Sequence, residues 1–370
     1  MRTPVLFLSL LLSLGGFAAD SVLAPFVQRE ELAGAVALVA SKDKVLNVTT
    51  VGFADIEAKK PMQADSVFWI ASQSKGITAT AVMMLVDEGK LSLNDPVEKY
   101  LPEFTDQQVA AGKDKTVARA RSITIRDLLS HVSGLPFKSA EEQPTLDGLP
   151  LAAAVKTYAK APLATQPGAH YQYSNAGINT AARVLEVVSG MAYEEFMDKR
   201  LFGPLGMKDT TFWPNAEQVS RLAKTYKPDA SKKKLTLGGL GQLQADLTDH
   251  AHRFPMPAGG LFSTAKDVSI FCRMLLNGGE LDGRRYLSAA ALKELSTRQT
   301  PKELKESYGL GLAVGPDFFG HGGAQATGME VRTKDGLVVV WMVQHQGFPG
   351  KGGQAHGEYK KWAIKEFAGK

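Results

Sequence analysis

The sequence predicts an α/β (α+β) fold, in which one antiparallel sheet flanked by helices is completed by both ends of the chain. Two observations support this prediction. Residues 34–54 and 308–343 have apolar runs and turn residues typical of antiparallel strands. Between them, residues 78–276 contain several segments with helical periodicity. Strands at both ends with helices between them indicate a sheet region and an inserted, mainly helical region.

The strands are placed by their apolar residues and by the turns between them. Residues 34–54 are predicted to form two strands joined by the polar turn Ser41–Lys44. Near the other end of the chain, Lys334-Asp335-Gly336 has the composition of a hairpin turn. The strands predicted there are Tyr308–Val314, Gly328–Thr333 and Leu337–Val343.

The helices are placed by apolar spacing, capping residues and glycine stops. Residues 225–257 lack periodicity and are predicted to form loops over a site. Gly89, Gly190 and Gly278 mark the ends of three helices. The predicted helices are Thr78–Glu88, a short one after Asn94-Asp95-Pro96, Thr124–His131, Asn175–Ser189, Tyr193–Leu201, Thr264–Leu276 and Glu358–Phe367.

The first 19 residues have the features of a secretory signal peptide. Arg2 precedes the apolar stretch Val5–Leu14, and the small residues Gly16 and Ala18 follow it. The stretch is too short to span a membrane, and no cysteine follows it to carry a lipid. The sequence therefore predicts cleavage after residue 18 or 19, one domain over residues 20–370, a periplasmic or secreted location and no stable membrane anchor.

Composition indicates a globular protein and argues against nucleic-acid binding. Of the 370 residues, 44% are hydrophobic, enough for a large core, and the net charge is only +5. The one dense basic run, Lys232–Lys234, has no interleaved aromatic residues and is interpreted as a solvated loop. Cys272 is the only cysteine, so no intramolecular disulfide can form, and its apolar surroundings predict a core position.

Ser72-Gln73-Ser74-Lys75 is the most informative stretch of the chain. It opens a helical pattern that runs to Glu88, and a spacing of three places Ser72 and Lys75 on one helix face. A serine hydroxyl needs a base to become a nucleophile, and lysine can serve if its pKa is lowered. The alternative is an ordinary helix N-terminus with an exposed lysine.

Two further motifs follow in order, Tyr173-Ser174-Asn175 and His321-Gly322-Gly323. Ser-x-x-Lys, Tyr-x-Asn and a [Lys/His]-x-Gly triplet at such distances resemble the penicillin-recognising serine hydrolases. The closest group comprises class C β-lactamases, related D-alanyl-D-alanine carboxypeptidases and β-lactamase-like esterases. Residues 128–136 and 259–265 fit the same pattern, and the resemblance spans residues 32–343.

The resemblance implies a β-lactamase/transpeptidase-like fold whose active site lies in the groove between the two regions. Ser72 would be the nucleophile, with Lys75 and Tyr173 as its base system. Nearby cations would shift Tyr173 towards phenolate, and which of the two accepts the proton is left open. The helix start at Ser72 would supply one oxyanion donor.

The other motif residues would bind the substrate. The N–H of Ala324 is predicted as the second oxyanion donor, with Gly322 and Gly323 allowing close approach of the backbone. Asn175 is predicted to position Lys75 and a substrate amide, its alternative being a plain helix N-cap.

Two positions depart from β-lactamases. Where many relatives have lysine, this chain has His321, which is mostly neutral at pH 7 and holds a substrate carboxylate weakly. Where class C β-lactamases usually have glutamine, it has Lys138. Both argue against an efficient dedicated β-lactamase. The predicted function is that of a secreted serine hydrolase acting through an acyl-enzyme on Ser72, an esterase or amidase on small esters or D-amino-acid peptides. The alternatives are a class C-like β-lactamase or D-Ala-D-Ala carboxypeptidase acting on β-lactam or peptide substrates, and a non-catalytic peptidoglycan-binding or ligand-binding relative.

Other chemistries find no support in the sequence. It has no Gly-x-Ser-x-Gly elbow and no His-Glu-x-x-His motif. His250 and His252 are the closest pair of histidines, but their spacing in a loop rarely makes a metal site. No metal or cofactor is therefore predicted.

Overall fold

The computed structural model describes residues 14–244 and 246–369. The predicted signal peptide lies for the most part outside the described residues, and the division at residue 19 stays a prediction. Residues Leu14–Gln28 form the first helix, α1.

The main sheet has seven antiparallel strands and combines strands from both ends of the chain. The strands are β1 Gly34–Ala40, β2 Val45–Asp55, β3 Lys60–Pro61, β4 Phe68–Trp69, β5 Gln108–Ala110, β6 Thr116–Ala118, β7 Tyr226–Pro228, β8 Leu235–Leu237, β9 Phe262–Ser263, β10 Glu280–Leu281, β11 Arg284–Arg285, β12 Ala313–Val314, β13 Phe318–Gly322, β14 Gly328–Arg332 and β15 Leu337–Met342. Seven of these strands form the large sheet, in the order β12-β13-β14-β15-β1-β2-β3. The N-terminal β1 pairs with the C-terminal β15, with Leu38 opposite Val340. The predicted antiparallel sheet is thus confirmed.

Helices cover both faces of this sheet. The helices are α1 Leu14–Gln28, α2 Ser74–Asp87, α3 Ile125–Leu129, α4 Leu151–Lys160, α5 Asn175–Ser189, α6 Tyr193–Phe196, α7 Gly203–Leu205, α8 Ala216–Ser220, α9 Ala265–Leu276, α10 Ala289–Ser296 and α11 Ala355–Phe367. One face of the sheet packs against α1 and α11, and α9 packs against β1, β14 and β15 on the other. Every residue of β1 and of β15 is buried, as expected for strands covered on both faces.

The inserted region is built around α5, against which α2, α3, α4 and α6 pack. The side chain of Ser174 caps the start of α5, and Gly190 ends it with a φ of 69°. The predicted bounds of this helix are confirmed. Cys272 is buried in α9 within the main core, also as predicted.

Several predicted elements differ from the structure. The predicted strand Tyr308–Val314 is reduced to Ala313–Val314, because Gly311 has a φ of 67° and turns the chain. The helix predicted after Pro96 is a single 3₁₀ turn, Val97–Lys99. Within the predicted loop 225–257, β7 and β8 form a hairpin.

Candidate active site

Ser72 lies at the junction between the sheet region and the helical region. It follows β4 and sits in a 3₁₀ turn, Ala71–Gln73, immediately before α2 begins. The preceding residue, Ala71, has a φ of 47°, a conformation that costs a non-glycine residue free energy. The α-helix therefore begins at Ser74 and not at Ser72 as predicted, and the 3₁₀ turn places the serine immediately before the helix.

Lys75 is completely buried and contacts Ser72 directly. Its Nζ lies 3.1 Å from Ser72 Oγ and donates a hydrogen bond to the carbonyl oxygen of Ala258 at 2.7 Å. Burial lowers the pKa of Lys75 well below its usual value, because the charged form loses its hydration. The lowered pKa that the sequence interpretation required is thus present, and its cause is desolvation.

Tyr173 also lies close to the pair, with Lys75 Nζ 4.7 Å from the centre of its ring. Burial is the largest influence on the tyrosine and raises its pKa, while the nearby Ser72 hydroxyl lowers it less. The predicted shift of Tyr173 towards phenolate is therefore wrong in direction: the buried phenol keeps its proton.

Asn175 begins α5 next to the site. Its backbone N–H donates to Phe137 O, whereas its buried Oδ1 has no hydrogen-bond partner within residues 14–244 and 246–369. Ser174 is the N-cap, so the capping alternative for Asn175 is wrong. The predicted contact that would position Lys75 is also not observed, since the polar partners of Nζ are Ser72 and Ala258. The free Oδ1 is compatible with binding a substrate amide.

The two backbone N–H groups predicted as oxyanion donors are those of Ser72 and Ala324. In the described part of the chain, neither Ser72 N nor Ala324 N has a hydrogen-bond partner. Gly323 N donates to Thr327 O and fixes the turn after β13. A Cβ on Gly323 would lie 2.5 Å from the carbonyl oxygen of Ile70, so only glycine allows this strand end to approach the turn carrying Ser72.

His321, on β13, is held as a neutral imidazole. Its Nδ1 lies 2.6 Å from Gly322 O, which can only accept, so Nδ1 carries the proton. Nε2 then accepts from the hydroxyl of Tyr308 at 2.9 Å and lies 3.4 Å from the hydroxyl oxygen of Tyr173. Burial and the neighbouring Lys75 lower the pKa of His321 to about 4. The imidazole therefore offers no positive charge near pH 7.

Two residues of the site had not been assigned from the sequence. Tyr308 contacts His321, and the fully buried His131, with a φ of 62°, accepts from Ser174 N through Nδ1. His131 was visible in the segment 128–136, whereas Tyr308 carried no signal beyond a predicted strand. Together the rings form a cluster around Tyr173 whose members are His131, Phe137, Tyr171, Tyr173, Tyr308 and His321.

Lys138 is turned towards its own loop. Its Nζ donates to Glu142 O at 3.1 Å.

No group of histidine, cysteine or acidic residues within the described ranges is arranged to hold a metal ion. His252 pairs with Asp249, and His250 stacks on Trp213, so the two do not form a shared site. None of the described helices is long and apolar enough to cross a membrane.

Comparison with known proteins agrees with the predicted fold and family. The family model described as Beta-lactamase matches residues 19–359. Protein Rv1367c of Mycobacterium tuberculosis (strain ATCC 25618 / H37Rv) is 33% identical over 355 residues, which cover 85% of this chain and 86% of that protein. The lovastatin esterase of Penicillium rubens is 31% identical over 281 residues, covering 70% and 67% of the two chains.

A solved structure shows the same architecture. EstCE1, described as a hydrolase with promiscuous acyltransferase activity, superposes with a TM-score of 0.78 at 23% identity. The superposition covers 94% of this chain and 97% of EstCE1.

Proposed function

The chain belongs to the β-lactamase family of serine hydrolases, and on that premise we propose that it is an esterase or amidase acting through an acyl-enzyme on Ser72. The observation that carries this proposal is the 3.1 Å contact between Ser72 Oγ and the amine of the buried Lys75. The substrates would be small esters or D-amino-acid peptides. The predicted signal peptide adds export from the cytoplasm to the proposal.

Acylation would begin with proton transfer from Ser72 to Lys75. The neutral amine directs one N–H to Ala258 O, which leaves its lone pair free to accept the proton of Ser72. The Ser72 oxygen attacks the substrate carbonyl, and the oxyanion is stabilised by the N–H groups of Ser72 and Ala324. As the tetrahedral intermediate collapses, the proton passes from the ammonium to the leaving group, directly or through the hydroxyl of Tyr173.

Deacylation would use the same groups in reverse. Lys75, neutral again, and the hydroxyl of Tyr173 orient a water molecule towards the ester carbonyl. The water loses a proton to the amine as its oxygen bonds to the acyl carbon. The released Ser72 oxygen then regains a proton and frees the acid, which balances the reaction as hydrolysis.

His321 favours uncharged substrates over carboxylates. A lysine at this position would place a positive charge beside Tyr173, whereas the neutral imidazole is held by Gly322 O and the hydroxyl of Tyr308. β-Lactams and D-alanyl peptides carry a carboxylate that gains little from this imidazole. The likeness to a lovastatin esterase supports the same preference for esters.

We predict that kcat/KM for p-nitrophenyl butyrate exceeds that for nitrocefin. His321→Lys should shift the ratio towards nitrocefin by about 1 kcal/mol of binding, the scale of one partly exposed charge pair. His321→Gln is the matched control, because it changes the side chain without adding charge and should leave the ratio near that of the wild type. Faster nitrocefin hydrolysis by the wild type, or equal ratios in the lysine and glutamine variants, would contradict the proposed preference.

A further inference from the structure

A buried chain of hydrogen bonds connects Lys75 to a carboxyl group far from the reaction. Lys75 Nζ donates to Ala258 O, and Ala258 N donates to Asn179 Oδ1 at 3.0 Å. Asn179 Nδ2 donates to the hydroxyl oxygen of Tyr158 at 3.1 Å. The hydroxyl of Tyr158 donates to Glu142 Oε1 at 2.7 Å. The chain thus joins α2, the loop before β9, α5, α4 and the loop before α4.

The direction of every bond in this chain is fixed by chemistry. A backbone N–H can only donate, so Ala258 N must face the Oδ1 of Asn179 and not its NH₂ group. The NH₂ group therefore faces Tyr158, whose oxygen accepts while its own proton points to Glu142. Burial and the neighbouring Glu142 raise the pKa of Tyr158 well above its usual value, so this proton is retained.

The backbone next to Ala258 is held on three sides. Thr78, on α2, donates to Pro257 O at 2.8 Å, and the indole N–H of Trp69 donates to Gly259 O at 2.7 Å. Asn179 holds the residue between them. Three consecutive residues are therefore fixed by three side chains from different elements, which is more than an ordinary loop needs. The carbonyl so fixed is the one that orients the Lys75 amine.

All members of the chain are excluded from solvent. Lys75, Tyr158 and Ala258 are completely buried, and Glu142 and Asn179 are each 2% exposed. Glu142 also accepts from Ser139 N at 2.7 Å, and its carbonyl accepts from Lys138. Burying a carboxyl group in the absence of an ion pair is costly. Packing alone therefore does not explain the buried Glu142.

We propose that Asn179, supported by Tyr158 and Glu142, is a positioning residue that holds Ala258 O where it orients the Lys75 amine towards Ser72. This inference rests on the proposed function, because it assigns Asn179 a role only if Lys75 is the base. It also links the loop carrying Lys138 to the reacting groups, so that changes in this loop would reach Lys75 through Glu142.

The test replaces Asn179 with leucine, which keeps the branching at Cγ and removes both hydrogen bonds. We expect Asn179→Leu to lower kcat for p-nitrophenyl butyrate at least tenfold with little change in KM, since misplacing a reacting group by a fraction of an ångström lowers the rate of the chemical step. Tyr158→Phe, which removes one hydroxyl, should lower kcat by a smaller factor. It keeps the test valid if the leucine variant does not fold.

The pH profile separates positioning from folding. The titratable groups facing Lys75 are Tyr173, His131 and His321, and burial keeps all three neutral near pH 7. The acid limb of kcat/KM therefore reports Lys75. If Asn179→Leu releases the amine towards water, its pKa rises and the acid limb moves to higher pH. A variant that is only less stable keeps the limb in place.

Thr180→Val is the matched control. Thr180 neighbours Asn179 on α5, is equally buried and donates only to Ala176 O within the helix. It should leave kcat and the acid limb unchanged. Wild-type kcat and acid limb in both Asn179→Leu and Tyr158→Phe, with Lys75→Ala inactive, would overturn this inference and leave the proposed function standing. Full activity in Lys75→Ala would overturn the proposed function itself.

Discussion

At the scale of single residues, the state of Lys75 decides the chemistry. Among the described residues no carboxylate pairs with Nζ, and its only polar contacts are a serine hydroxyl and a carbonyl oxygen. A buried cation without a counter-charge is costly, so the neutral amine is the favoured form. A neutral amine can accept a proton, whereas the phenol of Tyr173 cannot until it is ionised. We therefore propose Lys75 as the acceptor in acylation, with Tyr173 relaying and donating the proton.

We predict that Lys75→Ala and Tyr173→Phe each slow acylation roughly 10²–10⁴-fold, the range for losing an acid–base group. The double variant should be little slower than the slower single variant, because both residues serve one proton transfer. Wild-type kcat/KM should also fall as the pH falls through the lowered pKa of Lys75, because the protonated amine cannot accept a proton.

The measurement is the acylation rate, followed from acid to alkaline pH, in the wild type and the three variants. Lys75→Ala should lack the acid limb of the wild type. Multiplicative losses in the double variant would show that the two residues act on separate steps. Loss of the acid limb in Tyr173→Phe, with its retention in Lys75→Ala, would reverse the assignment of the acceptor.

The sequence predicted the residues that meet at the site better than it predicted their states. Ser72, Lys75, Tyr173 and His321 were recognisable because their chemistry demands particular side chains at particular spacings. The ionisation of Tyr173 was predicted wrongly, since burial depends on the rings packed around it. The contribution of Ala258 is a backbone carbonyl, which leaves no mark on side-chain identity.

At the scale of elements, the short helix α3 leads directly into the segment that contains His131, a member of the aromatic cluster around Tyr173. The Thr124 side chain accepts from Asp127 N at 3.2 Å, and Asp127 accepts from Thr124 N at 2.8 Å, which forms a capping box. Arg121 adds a two-bond ion pair to the same carboxylate. Shortly after α3 ends, His131 packs against Tyr173 with ring centres 4.6 Å apart.

We predict that Thr124→Val lowers the free energy of unfolding by about 1 kcal/mol, the usual effect of losing a helix cap. Ester hydrolysis at a temperature where the protein stays folded should be unchanged. The measurement is urea unfolding followed by circular dichroism. Thr116→Val, on an exposed strand, is the control and should leave the midpoint in place. Equal midpoints for the two variants would show that the capping box does not stabilise the fold.

Elements with strong local signals were predicted closely, and the others were not. The helix α5 has a capping residue, apolar periodicity and a terminal glycine, and its bounds were correct. The helix α4 was not among the predicted helices, although Val155 and Tyr158 pack into the core. Gly323 approaches the carbonyl of Ile70, just before the 3₁₀ turn at Ser72, and local sequence does not encode this long-range contact.

At the scale of the whole molecule, the site depends on contacts between distant parts of the chain. The sheet order brings β13 to the helical region. The pairing of His321 with Met329 then fixes the face of the sheet on which the imidazole lies. The strands were predictable from their apolar runs and the turns between them. Their order and register were not, because these depend on the pairing of β1 with β15 across nearly the whole sequence.

The proposed function requires that Ser72 carries the acyl group. The most direct measurement is intact-mass spectrometry with peptide mapping after rapid mixing with p-nitrophenyl butyrate and acid quench. Ser231→Ala, in an exposed loop, is the control for loss of a serine. We predict a butyryl group on the peptide containing Ser72 in the wild type and in Ser231→Ala, and none in a folded Ser72→Ala variant. A butyryl adduct on another serine, or undiminished turnover by Ser72→Ala, would contradict the proposed function.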